Sequence, residues 1–169
     1  MNEDAPHSRR LREHRRKDGP GTWFVTKNLE PRRPALTGEW ARVIAEAFRF
    51  YVEHEHAVLG AFCVMPDHWH ALFAPLAPPS LPGFMSKLDR WVSRATAEPV
   101  ARHGCVWQDG YHDTRIRSSK QFSFVIAYIE ENPVRAALAE TASAWSWSSA
   151  SASYAAVVCR PWPWRFEKD

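Results

Sequence analysis

"HAVLGAFCVMPDHWHALFA", residues 56–74, is the stretch on which the reading of this chain turns. Residues 56–64 are apolar at both parities, as in a strand covered on both faces, so this strand is expected to be central in a sheet. Met65-Pro66-Asp67 turns the chain. Residues 68–74 form the next strand, and so short a link makes the two antiparallel. In an extended strand residues i and i+2 share a face. His68, His70 and Leu72 therefore lie on one side, and Trp69, Ala71 and Phe73 on the other. The apolar side suits a covering helix. The other side holds two imidazoles next to each other on a rigid element, as a chelating pair requires, and neutral imidazole is the commonest metal ligand. An isolated His-x-His is more often two locally satisfied histidines near a sheet edge, so the rest of the chain has to decide.

The flanking segments give an α+β pattern. "TWFVTKNL" (22–29) reads as a strand rich in β-branched and aromatic residues. Thr37 can cap a helix over 38–53, in which Trp40, Val43, Ile44, Ala47, Phe48 and Tyr51 follow the 3.6-residue period. A second helix, about 83–97, buries Phe84, Leu88, Trp91, Val92 and Ala95 and carries Lys87, Arg90 and Arg94 on another face. "DTRIRS" (113–118) is a short strand with Arg115 and Arg117 on one side and Ile116 on the other. Ser118 or Ser119 starts a third helix that runs through Tyr128. Asn132-Pro133 is expected to end it, because the residue before proline is pushed out of the α region. Asn132 would then cap a new helix, "PVRAALAE". Tyr128 and Asn132, four apart, share a helical face. "ASAWSWSSASAS" (142–153) reads as loop with a short helix.

The chain has 169 residues, 45% of them hydrophobic, enough for one domain with a real core. Its net charge of +3 is uneven, since "RRLREHRRK" (9–17) holds six of the 22 Lys and Arg. The division expected is a basic arm over 1–20, including Arg9 and Arg10, a domain over 21–150 and a tail over 151–169. Such an arm attracts polyanions or serves as a solvated tail. Three cysteines (63, 105 and 159) with no C-x-x-C imply a reduced, cytoplasmic protein without a disulfide framework. The longest apolar run, 57–65, is too short to span a bilayer, and no signal peptide is expected.

"VMPDHWHALF", "WQDGYHDTRIR", "YIEENPVRA" and "WSWSS" together resemble the REP-associated tyrosine transposases. These belong to the single-tyrosine HUH transposases, where HUH denotes His-hydrophobic-His. The resemblance runs from about Thr22 to Ser149. It implies a ferredoxin-like fold of the HUH endonuclease type, an antiparallel sheet flanked by helices. It implies cleavage and rejoining of single-stranded or hairpin DNA, with Tyr128 attacking a phosphodiester to leave a 5′-phosphotyrosine. His68 and His70 would hold Mg²⁺ or Mn²⁺, and Asn132 stands where relatives supply a further ligand, although capping alone would explain it. DNA contacts are expected from Lys87, Arg90 and Arg94, from Arg115 and Arg117, from Trp107 and Gln108, and from Arg9 and Arg10. Trp107 could equally be core. The tail over 151–169 could cover a dimerisation edge, which favours a monomer over a homodimer. A non-cleaving DNA-binding protein is the main alternative, although such a protein need not keep His68, His70 and Tyr128. A structural zinc domain using His68, His70 and Cys63 or Cys105 would lack the usual paired thiolates.

Overall fold

The period-2 pattern of residues 56–74 is realised as a hairpin. Strands β2 (Ala57–Val64) and β3 (His68–Pro75) pair antiparallel, and the Met65 N–H donates to the His68 carbonyl at 2.8 Å across the turn. The computed structural model describes residues 21–30, 38–76, 80–95 and 107–169. With β1 (Trp23–Asn28) and β4 (His112–Arg115) the hairpin forms one antiparallel sheet in the order β2-β3-β1-β4. Among the described residues three helices cover it: α1 (Gly38–Glu53), α2 (Leu81–Ala95) and α3 (Ser119–Arg135). The expected Thr37 cap and the end of the second helix at 96–97 lie outside the described residues.

The sheet divides the core into two layers. Trp23, Val25, Trp69, Ala71 and Phe73 face α1 and α2, where they meet Ile44, Phe48, Phe84 and Leu88. Ala61, Cys63 and Leu72 face α3, where they meet Phe122, Val125 and Ile129. A register shift between Leu59 and Ala61 resets the alternation within β2. Gly60 sits at that shift, and a Cβ there would stand 3.1 Å from the Phe122 ring and 3.2 Å from Leu72. No side chain fits between this bulge and α3 without displacing them.

Residues 56–64 were expected to be central, but β2 is an edge strand of the sheet. Its apolar character has a different cause. Helices cover both faces, and the segment 145–159 covers the outer edge. Val64 N–H donates to the Trp147 carbonyl at 2.9 Å, Ser149 N–H to Phe62 at 2.9 Å and Cys159 N–H to Leu59 at 2.8 Å. The Trp145 indole N–H adds a bond to the Val64 carbonyl at 2.9 Å. An edge paired in this way no longer offers a template for another strand. Tyr154 and Val157 are buried with the α1 layer, and Trp162 and Phe166 pack with tilted rings on Phe122 of α3. The short helix expected within 142–153 is a single 3₁₀ turn, Ala142–Ala144.

The helix break expected at Asn132-Pro133 is absent. Helix α3 starts at a Ser118 cap, whose hydroxyl accepts from Gln121 N–H, and continues through Pro133 to Arg135. Proline inside a helix removes one backbone bond and crowds the preceding turn. Here it falls in the last turn, so little helix remains to disrupt, and the ring is buried. Beyond Arg135 the chain forms a closing motif and not a new helix. Leu138 N–H donates to the Pro133 carbonyl at 2.8 Å and Ala137 N–H to Val134 at 3.0 Å, with Ala137 at φ 55°. This is the Schellman pattern, in which that left-handed position usually falls to glycine. Ala137→Gly is therefore expected to stabilise the fold by about 1 kcal/mol, a rise of about 2–4 °C in the thermal midpoint. Scanning calorimetry checks this.

Candidate active site

Strand β3 presents His68 and His70 to the α3 side of the sheet. Their Nε2 atoms converge to 3.1 Å, with ring centroids 4.5 Å apart. Each remaining ring nitrogen has its own partner. His68 Nδ1 lies 2.6 Å from Asp67 Oδ1, and His70 Nδ1 lies 2.8 Å from the Thr26 hydroxyl of β1. The carboxylate can only accept, so His68 donates through Nδ1 and its Nε2 carries a lone pair when the ring is neutral. The Thr26 hydroxyl can donate or accept, so it serves either tautomer of His70.

Burial sets the charge state of His70. His70 is buried, while His68 retains access to solvent. Desolvation, and then repulsion from His68, push the His70 imidazole down from 6.5 to about 3; Asp67 opposes this weakly. His70 is accordingly a neutral nitrogen donor at neutral pH.

Tyr128 comes from α3, one layer above the pair. Its ring centroid is 5.4 Å from that of His70 and 6.0 Å from that of Phe24, both in edge-on contact. The Arg135 guanidinium carbon lies 5.4 Å from the Tyr128 ring centroid, two turns along the same helix. Asn132 lies between them in sequence, one turn after Tyr128, within the helix and not at its cap. Its side chain therefore has no capping duty.

The donor set fits a divalent cation. Two ligands at right angles on an ion with bonds of about 2.1 Å stand about 3 Å apart, close to the observed Nε2 separation of 3.1 Å. The Nδ1 partners Asp67 and Thr26 are of the kind that orient metal-bound imidazoles. Among the described residues no group of three His, Cys, Asp or Glu could hold an ion, so the other positions would fall to water, substrate oxygens or the Asn132 amide. Cys63, opposite His70 in the strand register, is buried, burial pushes its thiol up to about 12, and its sulfur lies 3.7 Å from that of Met65. Cys105 lies outside the described residues.

The residues expected to touch DNA are dispersed. Lys87, Arg90 and Arg94 are exposed on α2, in the layer opposite the site. Arg115 ends β4 and pairs with Glu167 at 3.0 Å. Arg117 is exposed beyond the strand, which ends two residues earlier than its expected pairing with Arg115 requires. Trp107 is 7% exposed within the core, so its ring is not offered to a base. Gln108 engages through its backbone, accepting from the buried Lys27 ammonium at 3.0 Å while Gly110 accepts at 2.8 Å. Lys27 also lies 3.6 Å from Asp89 of α2, so it ties the 108–110 loop to that helix. Arg9 and Arg10 lie outside the described residues. Sequence reasoning missed Thr26, Phe24 and Arg135, and gave Asp67 only a turn. The aspartate directly before His68 was the one available signal.

Comparison with known proteins gives the family and the fold. The family described as "Transposase IS200 like" matches residues 24–132, a span that holds His68, His70, Tyr128 and Asn132. The REP-associated tyrosine transposase of Escherichia coli (strain K12) is 27% identical over 129 residues, 74% of this chain and 73% of that protein. A solved structure of a REP-associated tyrosine transposase bound to a REP hairpin superposes with a TM-score of 0.64 at 24% identity. The match covers 78% of this chain and 77% of that one, and establishes a shared fold.

The unusual state of His70 has a measurable consequence. The folded imidazole titrates near 3 and the unfolded one near 6.5, so between those values only the unfolded chain binds the extra proton. The stability contributed by neutral His70 is complete above about 6.5 and is lost as pH falls toward about 3. Urea unfolding of metal-free protein at a series of acidic pH values should show this decline, and His70→Asn should show a shallower one.

Proposed function

The chain belongs to the IS200-like transposase family, and from that premise we propose that it cuts and rejoins single-stranded DNA, beside palindromic hairpins, with Tyr128 as the nucleophile. One observation carries the reading: the His68 and His70 Nε2 atoms converge to 3.1 Å beneath a tyrosine whose ring is 5.4 Å from that of His70. A structural tyrosine does not need such neighbours.

The chemistry follows from these residues. The Tyr128 oxygen forms a bond to phosphorus as the bond from phosphorus to the 3′ oxygen breaks. The phenol gives up its proton, and the departing oxygen takes one to become a 3′-OH. The strand 3′ of the break stays on Tyr128 as a 5′-phosphotyrosine, which keeps the bond energy, so a 3′-OH can reverse the step without a nucleotide cofactor. Mg²⁺ or Mn²⁺ held by His68 and His70, with Asn132 as a further ligand, would neutralise the phosphate and orient it for in-line attack. Asp67 and Thr26 hold the imidazoles in place. Phe24 and the Arg135 guanidinium fix the tilt of the Tyr128 ring. Lys87, Arg90 and Arg94 lie on the far layer, away from the strand being cut. Coverage of the β2 edge by residues 145–159 favours a monomer.

Tyr128→Phe should leave hairpin binding unchanged and abolish the covalent protein–DNA adduct, read as a species that survives boiling in detergent. Tyr111→Phe, which alters a residue packed against the α1 and α2 layer, should still form it. An adduct from Tyr128→Phe, or none from the wild type with any divalent metal, overturns the reading in favour of a non-cleaving DNA-binding protein. His68→Ala and His70→Ala should each lower cleavage about 100-fold or more, by analogy with loss of a charge-stabilising group, with hairpin affinity within a few-fold of wild type. Cleavage of labelled oligonucleotides in Mg²⁺ and Mn²⁺ measures this.

A further inference from the structure

Helix α3 carries one large apolar side chain that packing does not explain. Phe124 is 70% exposed, the most exposed large hydrophobic side chain among the described residues. It precedes Tyr128 by one turn, so the two share a helical face. Ala127, its neighbour three residues on, is small and exposed, which leaves the ring uncovered. Lys120, one turn further back, is exposed, as is Arg117 just before the helix. Cation, bare aromatic ring, nucleophile and amide thus succeed one another at four-residue intervals: Lys120, Phe124, Tyr128 and Asn132.

We propose that Phe124 is a stacking platform for an unpaired base next to the phosphate that Tyr128 attacks. The proposal rests on Tyr128 being the nucleophile, and adds a residue that positions the strand. Four helical residues advance about 6 Å, so a strand with its phosphate at the Tyr128 hydroxyl brings an adjacent base over Phe124. The ring's place favours this occupant: it lies one turn from Tyr128, and Arg117 and Lys120 bring exposed cations to the chain before it, while the nearby acids are Asp169, held at the Ser119 N–H, and Glu131, beyond Tyr128. A phenyl ring serves any base, since every base has a flat face, so Phe124 would fix the strand's path without reading its sequence.

The test compares dye-labelled (dT)20 with a 20-mer of abasic sites, using the full chain and fluorescence anisotropy. Wild type should prefer (dT)20, and Phe124→Ala should weaken (dT)20 binding about ten-fold while leaving affinity for the abasic strand unchanged. Phe124→Trp should restore the preference. A thermal midpoint within a few degrees of wild type is expected for both variants, because the side chain is exposed. Equal (dT)20 affinity in wild type and Phe124→Ala, in a protein that still forms the Tyr128 adduct, overturns the stacking role and leaves the proposed reaction standing. Failure of the wild type to bind (dT)20 more tightly than the abasic strand also overturns the stacking role, while the adduct on hairpin DNA decides the reaction separately. A wild type that self-associates in sedimentation, and a Phe124→Ala variant that does not, would make a second copy of the chain the occupant and overturn the proposal.

Discussion

Strand β3 is bonded along both edges, to β2 and β1, and lies between two helical layers. A strand held in this way cannot slip, because a shift of one residue would move Trp69 and Phe73 out of the core layer and put the imidazoles into it. The direction of the histidine pair is therefore set by burial of their apolar neighbours, and not by any contact of the imidazoles. The pair enters a layer where α3 must still cover Leu72, so the helix passes close above His70 and brings Tyr128 with it. Gly60 permits that approach at the other end of the contact, where any Cβ would press on Phe122.

The hairpin and α1 were legible because their information is local. Alternation at period 2 and recurrence at period 3.6 sit within the segments themselves. The position of β2 was not legible, because an edge covered by other backbone has the same composition as a central strand. The covering segment, 145–159, is rich in small residues and shows no period. It works mostly through the backbone groups of Trp147, Ser149 and Cys159, which nearly any residue type could supply, with the Trp145 indole and the Ser149 hydroxyl adding side-chain bonds. Trp107 was ambiguous for a related reason: an indole can fill a core or stack on a base, and only burial distinguishes the two.

Pro133 shows a local rule giving way to context. The conflict between proline and helix is strongest in a helix interior. Here the helix ends two residues later, in a closing motif that satisfies the Pro133 and Val134 carbonyls, and the ring gains burial. The outcome bears on the site. Had the helix broken at Asn132, its amide would have been occupied as a cap and its direction decoupled from Tyr128. In one continuous helix Tyr128, Asn132 and Arg135 move as a unit, so whatever positions α3 on the sheet positions all three.

The hydrogen bonds behind the imidazoles obey a matching logic. Neutral His68 has one lone pair free at Nε2, because Asp67 takes its Nδ1 proton. His70 faces that lone pair at 3.1 Å. With no cation between them, two bare lone pairs at this distance repel, and the favourable state has His70 donating through Nε2 while Thr26 donates to its Nδ1. Were a cation held between them, His70 would carry its proton on Nδ1 and Thr26 would accept from it. A hydroxyl makes that exchange by rotating about one bond, whereas a carboxylate in its place would permit only the second state. The pairing of an aspartate behind the solvent-accessible histidine with a threonine behind the buried one thus keeps both states satisfied, and avoids placing a charge beside His70, where desolvation would penalise it most.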